Sequence, residues 1–252
     1  MINVFQPALG VEEVEAVRRV FQSNWLGRGR LTADFEKAFA GHLGVPREHL
    51  RSANSCSEGL FLSLKLLGAG PGDEIVMPSI SFVASANAAL DRGAKPVFCD
   101  VDRRTLNVTA ESIEAVLTPR TKAVILIHYG GLPADMDPIL GLLRPRGIGI
   151  VEDSACSVAS AYRGRACGTM GDVGVWSFDP AKILVTGDGG MVYVGDPDMA
   201  RRAGLELYLG LGSESGFSNA ASSRWWEFDV SCAGRRSVTN DICSAIGLEP
   251  LR

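Results

Sequence analysis

Apolar residues recur at helical spacing over residues 11–21 and again over 35–43, where Thr32 or Asp34 is available to cap the second helix. Between them, residues 24–30 read as a glycine-punctuated loop carrying Trp25. A third apolar-periodic run, 60–67, follows the small polar residues 53–59. The period then alternates. Residues 74–77, 96–99, 122–127 and 149–151 read as strands, and 82–90, 110–117 and 136–143 as the helices between them. Strands and helices that alternate with such short connections predict an α/β fold, a mostly parallel sheet with helices on both faces. Beyond Asp153 the rhythm shifts to extended segments, 173–178 and 190–194, separated by a turn-rich stretch, which predicts antiparallel or mixed strands there. A helix over 197–208, a long surface loop over 210–226 and the opening of another helix over 240–248 complete the pattern.

Composition narrows the class. With 252 residues, 46% hydrophobic and 21% charged, the chain is of ordinary globular make-up, with one large core or two small ones. A net charge of −4 without any basic block disfavours nucleic acid and anionic membrane as partners. No apolar run approaches the roughly 18 residues that cross a bilayer. The first residues lack the basic and apolar regions of a signal peptide, so a soluble, cytoplasmic protein is expected. Six cysteines occur without a Cys-x-x-Cys pair or a spaced histidine partner. They read as free thiols, most of them small core residues, and no metal site is expected. The 29 glycines are about 11% of the chain against a usual value of about 7%, which implies many tight turns or close backbone approach to a ligand.

Four features could carry chemistry. Residues 53–59 place small side chains where a strand would turn into a helix, exposing N–H groups at the positive helix end to an anion. An ordinary serine N-cap accounts for the same pattern. The lysine-containing P-loop is missing, and the glycine clusters at 68–72 and 210–212 both lack the strand–turn–helix context of a dinucleotide fingerprint. Asp153 closes the strand over 149–151, at the sheet edge where open α/β proteins bind ligands, although an acid there can equally cap a turn. Lys182 lies among Phe178, Ile183 and Leu184 before a glycine-rich turn, a setting for a lysine that snorkels to solvent or for one suited to Schiff-base chemistry. Together, a strand-end aspartate, a later serine, a lysine and a small-residue helix start are the parts that pyridoxal phosphate (PLP) requires.

Glu152-Asp153-Ser154-Ala155, Gly168-Thr169-Met170-Gly171-Asp172, Trp176-Ser177-Phe178-Asp179-Pro180-Ala181-Lys182 and Gly187-Asp188-Gly189-Gly190 follow one another in a telling order. With the upstream runs 78–85 and 93–102, they resemble the DegT/DnrJ/StrS family of PLP-dependent aminotransferases along nearly the whole chain. The resemblance implies the large domain of a fold-type I PLP enzyme, acting as a homodimer. It implies transfer of an amino group, usually from glutamate, to a nucleotide-linked keto sugar or a keto cyclitol, in amino-sugar or antibiotic biosynthesis. Carried over by position, Lys182 is the Schiff-base lysine and Asp153 the partner of the pyridine nitrogen. Phe82 stacks on the ring and Ala155 packs against its other face. Cys56 and Ser57 hold the phosphate through backbone N–H groups and a hydroxyl, and Ser177 adds a second hydroxyl. His128 matches a family motif in a structural, hydrogen-bonding role.

Several positions depart from the family. Cys156 stands where Gln or His is usual near the cofactor, and Asp179 where many members have His. Residues 234–237 occupy the place of a motif whose Asn reaches the phosphate of the neighbouring subunit, a contact that Arg236 could supply as a cation. The resemblance divides the chain into an N-terminal helix and loop (1–30), a PLP-binding large domain (31–208) and an interface loop with the start of a C-terminal region (209–252). Family members continue past the last helix into a smaller domain, so the chain is expected to behave as a fragment or a truncated form, self-associating and weakly active. Two other functions stay open: a keto-sugar dehydratase relative, in which His replaces the lysine, and a non-catalytic PLP-binding remnant.

Overall fold

A computed structural model describes residues 7–212 and 228–251 of the chain. Nine strands occur among them: β1 Leu50–Ala53, β2 Glu74–Pro78, β3 Lys95–Cys99, β4 Thr121–Ile127, β5 Gly149–Asp153, β6 Ala161–Tyr162, β7 Arg165–Ala166, β8 Val173–Ser177 and β9 Gly190–Val194. The helices are α1 Val11–Gln22, α2 Arg30–Leu43, α3 Cys56–Leu66, α4 Val83–Asp91, α5 Ala110–Glu114, α6 Met136–Leu143, α7 Pro197–Glu206 and α8 Asp241–Leu248. Seven strands form one sheet in the order β1-β9-β8-β5-β4-β2-β3. β8, β5, β4, β2 and β3 run parallel, whereas β9 lies antiparallel to both β8 and β1, so the mixed pairing expected after Asp153 is present. β6 and β7 form a separate small hairpin.

The pleat sorts the core into two layers, because successive strand residues face opposite sides. Ile75, Met77, Ile125, Val151, Val175 and Val192 meet α3, α4 and α7 on one face. Val76, Val124, Leu126 and Ile150 meet α5 and α6 on the other. That second face continues as an aromatic cluster in which Phe39 packs edge-on against Trp176 at 5.4 Å and Phe178 at 5.4 Å, joining α2 to β8. Strands with both faces covered require continuous apolar runs, which is why they stand out in the sequence.

Three expectations need correction. α2 begins at Arg30, and neither Thr32 nor Asp34 caps it; Gly29 is the N-cap and contributes no side chain. The acceptor is the buried Asp241 carboxylate of α8, which takes N–H bonds from Gly29 (2.8 Å), Leu31 (3.3 Å) and Thr32 (3.0 Å) and the Thr32 hydroxyl (2.7 Å). An anion at the positive end of a helix works equally well when it arrives from a distant segment. α5 stops at Glu114 instead of continuing to residue 117, because Pro119 holds the preceding residue out of helical geometry and Thr118 turns to hydrogen-bond Glu74. Of the six cysteines, two, Cys99 and Cys167, are buried; Cys56, Cys232 and Cys243 are half-buried and Cys156 is exposed. The loop expected over 210–226 lies almost wholly outside the described residues.

Among the described residues no helix is long and apolar enough to cross a membrane.

Candidate active site

The carboxyl edge of the sheet gathers the groups that the sequence singled out. β5 ends at Asp153, which pairs with Val175 of its parallel neighbour β8, and β8 runs two residues further to end at Ser177. The chain then turns: the Ser177 hydroxyl accepts the Asp179 N–H (3.3 Å), the Asp179 carboxylate accepts the Ala181 N–H (2.9 Å), and the Asp179 carbonyl accepts the Lys182 N–H (2.9 Å). Phe178, fully buried among Phe35 and Phe39, anchors this turn. Lys182 is thereby held half-buried beside the strand ends.

α3 closes the site from the other side. Ser55 is its N-cap and accepts the Glu58 N–H at 3.1 Å, so the serine-cap reading is correct. That cap leaves the first N–H groups of the helix, those of Cys56 and Ser57, without intrahelical acceptors. Gly190, the residue paired with Ser177 across β8 and β9, lies directly under this turn. A Cβ on Gly190 would stand 2.6 Å from the Cys56 backbone nitrogen, so only glycine lets β9 approach so closely. One tight packing contact thus brings the Ser177 hydroxyl and the α3 N-terminus together.

The charges in this cluster act on one another. Burial pushes the Asp153 carboxyl above the ordinary aspartate range, while the Ala155 N–H (3.1 Å), Lys182 and His128 pull it back. Burial also pushes the Cys56 thiol well up, reinforced by Asp153 and opposed by Lys182, so Cys56 remains a neutral thiol. Lys182 Nζ lies 3.6 Å from Cys156 Sγ.

A residue that the sequence reading used only as a motif letter supports this edge. Glu152 is completely buried and accepts N–H bonds from Gly168 (2.8 Å), Met170 (2.6 Å) and Gly171, and contacts His128 Nε2 at 2.9 Å. The Ala134 N–H donates to His128 Nδ1 (3.1 Å), which places the imidazole proton on Nε2, directed at Glu152. The His128 backbone N–H donates to the Asp153 carbonyl (3.2 Å). Sequence offered a faint signal for this network, namely a carboxylate inside a strand covered on both faces.

Asp153, Ala155, Lys182, Ser177, Cys56 and Ser57 therefore meet at one edge. Phe82 caps α4 at the same carboxyl edge, beyond β2, with its ring 70% exposed. Arg236 does not join the cluster: it is exposed and bridges Tyr208 through its backbone. The neighbouring Arg235 is the engaged cation, paired with Glu58 (3.4 Å) and Asp91 (3.0 Å).

The model of the DegT/DnrJ/EryC1/StrS aminotransferase family matches residues 7–252. The chain belongs to this family. The family member is 53% identical, over 100% of its length and 66% of the relative's, to dTDP-4-dehydro-2,3,6-trideoxy-D-glucose 4-aminotransferase of Saccharopolyspora spinosa. It is 37% identical to the spore coat polysaccharide biosynthesis protein SpsC of Bacillus subtilis, over 98% of this chain and 62% of that one. The crystal structure of the aminotransferase TlmJ from Streptoalloteichus hindustanus superposes with a TM-score of 0.93 at 58% identity, covering 100% of this chain and 66% of that one. The chain thus spans slightly under two thirds of the length of these relatives. The family is PLP-dependent, and the residues gathered here fit that group. Free helix N–H groups and a hydroxyl suit a phosphate dianion, a buried carboxyl suits a ring nitrogen, and a lysine amine suits an aldehyde.

Proposed function

We propose that this chain supplies the cofactor-binding part of a PLP-dependent sugar aminotransferase, with residues 31–208 as its large domain. The observation that carries the reading is the convergence of Asp153 from β5, Ser177 and Lys182 from β8 and the turn after it, and the α3 N-terminus, three separate segments, onto one sheet edge. The S. spinosa relative supports a dTDP-linked keto deoxysugar as the class of acceptor; glutamate is the amino donor that the family resemblance implies.

Each residue then has one task. The Cys56 and Ser57 N–H groups and the Ser177 hydroxyl bind the phosphate. The Asp153 carboxylate accepts the proton-bearing ring nitrogen. Phe82 and Ala155 flank the ring. Lys182 Nζ would hold the group covalently and, as a free amine, would move a proton as general base and acid. The bound cofactor supplies an electron-withdrawing ring that makes this proton mobile. Lys182 itself opposes the dehydratase alternative, whose relatives carry His at that position.

The exposed apolar residues Val11 (71%), Val14 (65%) and Phe21 (58%) on α1, with Ile183 (80%) beside the site, support a homodimer in which both subunits complete each site. Arg236 is in this reading a phosphate contact across that interface.

Borohydride reduction of the PLP-treated protein, followed by peptide mapping, tests the assignment. The expected outcome is a single label on Lys182 and a visible absorbance band that shifts when glutamate is added. A label on Lys65, Lys95 or Lys122 overturns it.

A further inference from the structure

Among the described residues, the side-chain partner of Lys182 is a thiol. Cys156 follows Asp153 by three residues, beyond the turn in which the Ala155 N–H bonds the aspartate, and its Sγ lies 3.6 Å from Nζ. It is exposed, whereas the other thiol of the cluster, Cys56, is half-buried and burial pushes it well up. The groups facing the pair are Asp153 from β5 and Cys56 from α3, with His128 behind Asp153. Of these, Asp153 has its own task at the ring nitrogen and Cys56 is inert, which leaves Cys156 as the group that decides where the free amine rests.

We propose that Cys156 is a positioning residue for Lys182, its Sγ holding Nζ at the end of β5, and that its exposure beside that amine makes Cys156 the thiol of this site that carbon electrophiles take. The functional meaning rests on Lys182 being the cofactor lysine; the contact does not. An amine parked on sulfur is kept from wandering into solvent while the cofactor is absent, and returns there when an incoming amine displaces it. Cys156 Sγ is at once the exposed thiol of the site, within reach of a reagent in solvent, and the one with a lysine amine beside it. In alkylation by iodoacetamide the Sγ–C bond forms, the C–I bond breaks, iodide leaves and the thiol proton passes to solvent.

The experiment uses the full chain without cofactor. Iodoacetamide labelling at neutral pH, followed by peptide mass spectrometry, should modify Cys156 faster than the other five cysteines. The rate should fall about fivefold in Lys182→Met, the loss expected for one charge removed at this distance in an aqueous surrounding. Equal rates in the parent and in Lys182→Met overturn the coupling. Reductive methylation reads the reciprocal effect: with Lys65 and Lys95 as internal references, modification of Lys182 should quicken about threefold or more in Cys156→Ala and return toward the parent rate in Cys156→Ser. An unchanged Lys182 rate in Cys156→Ala overturns the positioning role. Neither arm requires PLP, so a failure of the cofactor assignment, seen by borohydride mapping, is separable from a failure of this proposal.

Discussion

Glu152 and Asp153 are consecutive residues of β5, both buried, and the pleat sends them to opposite faces of the sheet. Their surroundings differ sharply. Glu152 is met by three backbone N–H groups and by His128, a full complement for a carboxylate without water. Asp153 receives one backbone N–H, and burial holds its proton affinity up. A buried carboxylate whose acceptors are all used is architecture: it ties the 168–171 turn to β5 and orients His128. One left with spare capacity at a strand end is a place for a donor brought by a ligand.

The largest expected effect falls on the saturated acid. Glu152→Ala removes the acceptor for three inward-facing N–H groups and should cost about 3–5 kcal/mol of folding stability, measured by urea unfolding. A loss below about 1 kcal/mol would show that the network is dispensable.

Asp153→Asn should do the reverse. Turnover should drop by about 10²–10³-fold, since a neutral amide cannot hold the ring nitrogen charged, while the cofactor-free fold gains stability at neutral pH. The sign follows from linkage. A carboxyl whose folded pKa lies above its unfolded one costs stability above that raised value, and the cost vanishes as pH falls through it to the ordinary aspartate range. The stability advantage of Asp153→Asn over the parent should therefore shrink on acidification; an advantage that grows at low pH contradicts the assignment of Asp153 as the unsatisfied acid.

Ser177→Ala is the mildest test. Loss of one hydroxyl to a phosphate dianion should weaken PLP retention by about 1.5–3 kcal/mol and leave the unfolding midpoint unmoved. Unaltered PLP affinity would remove Ser177 from the phosphate site.

Legibility followed the range of the interaction. α1, α6 and β9 match their expected spans closely because their periods are written in neighbouring residues. The α2 start was missed because its cap, Asp241, is more than two hundred residues away in the chain. Lys182 could be read from local chemistry only as one of two kinds of lysine; the resemblance, not the spacing of apolar residues, singled it out. Glu152 stayed hidden because a buried acid and a catalytic acid are the same letter, and only their hydrogen-bond partners separate them.

By itself, the sequence determined the alternation of strands and helices, the parallel sheet covered on both faces and the residue types able to handle PLP, because helical and pleated periods are local properties. Strand order and close packing decided the rest. β9 inserts antiparallel between β1 and β8, Gly190 slides under the α3 N-terminus, and residues 56, 153, 177 and 182 arrive at one edge. That convergence is a non-local outcome of burying both faces of the sheet, and no stretch of neighbouring residues contains it.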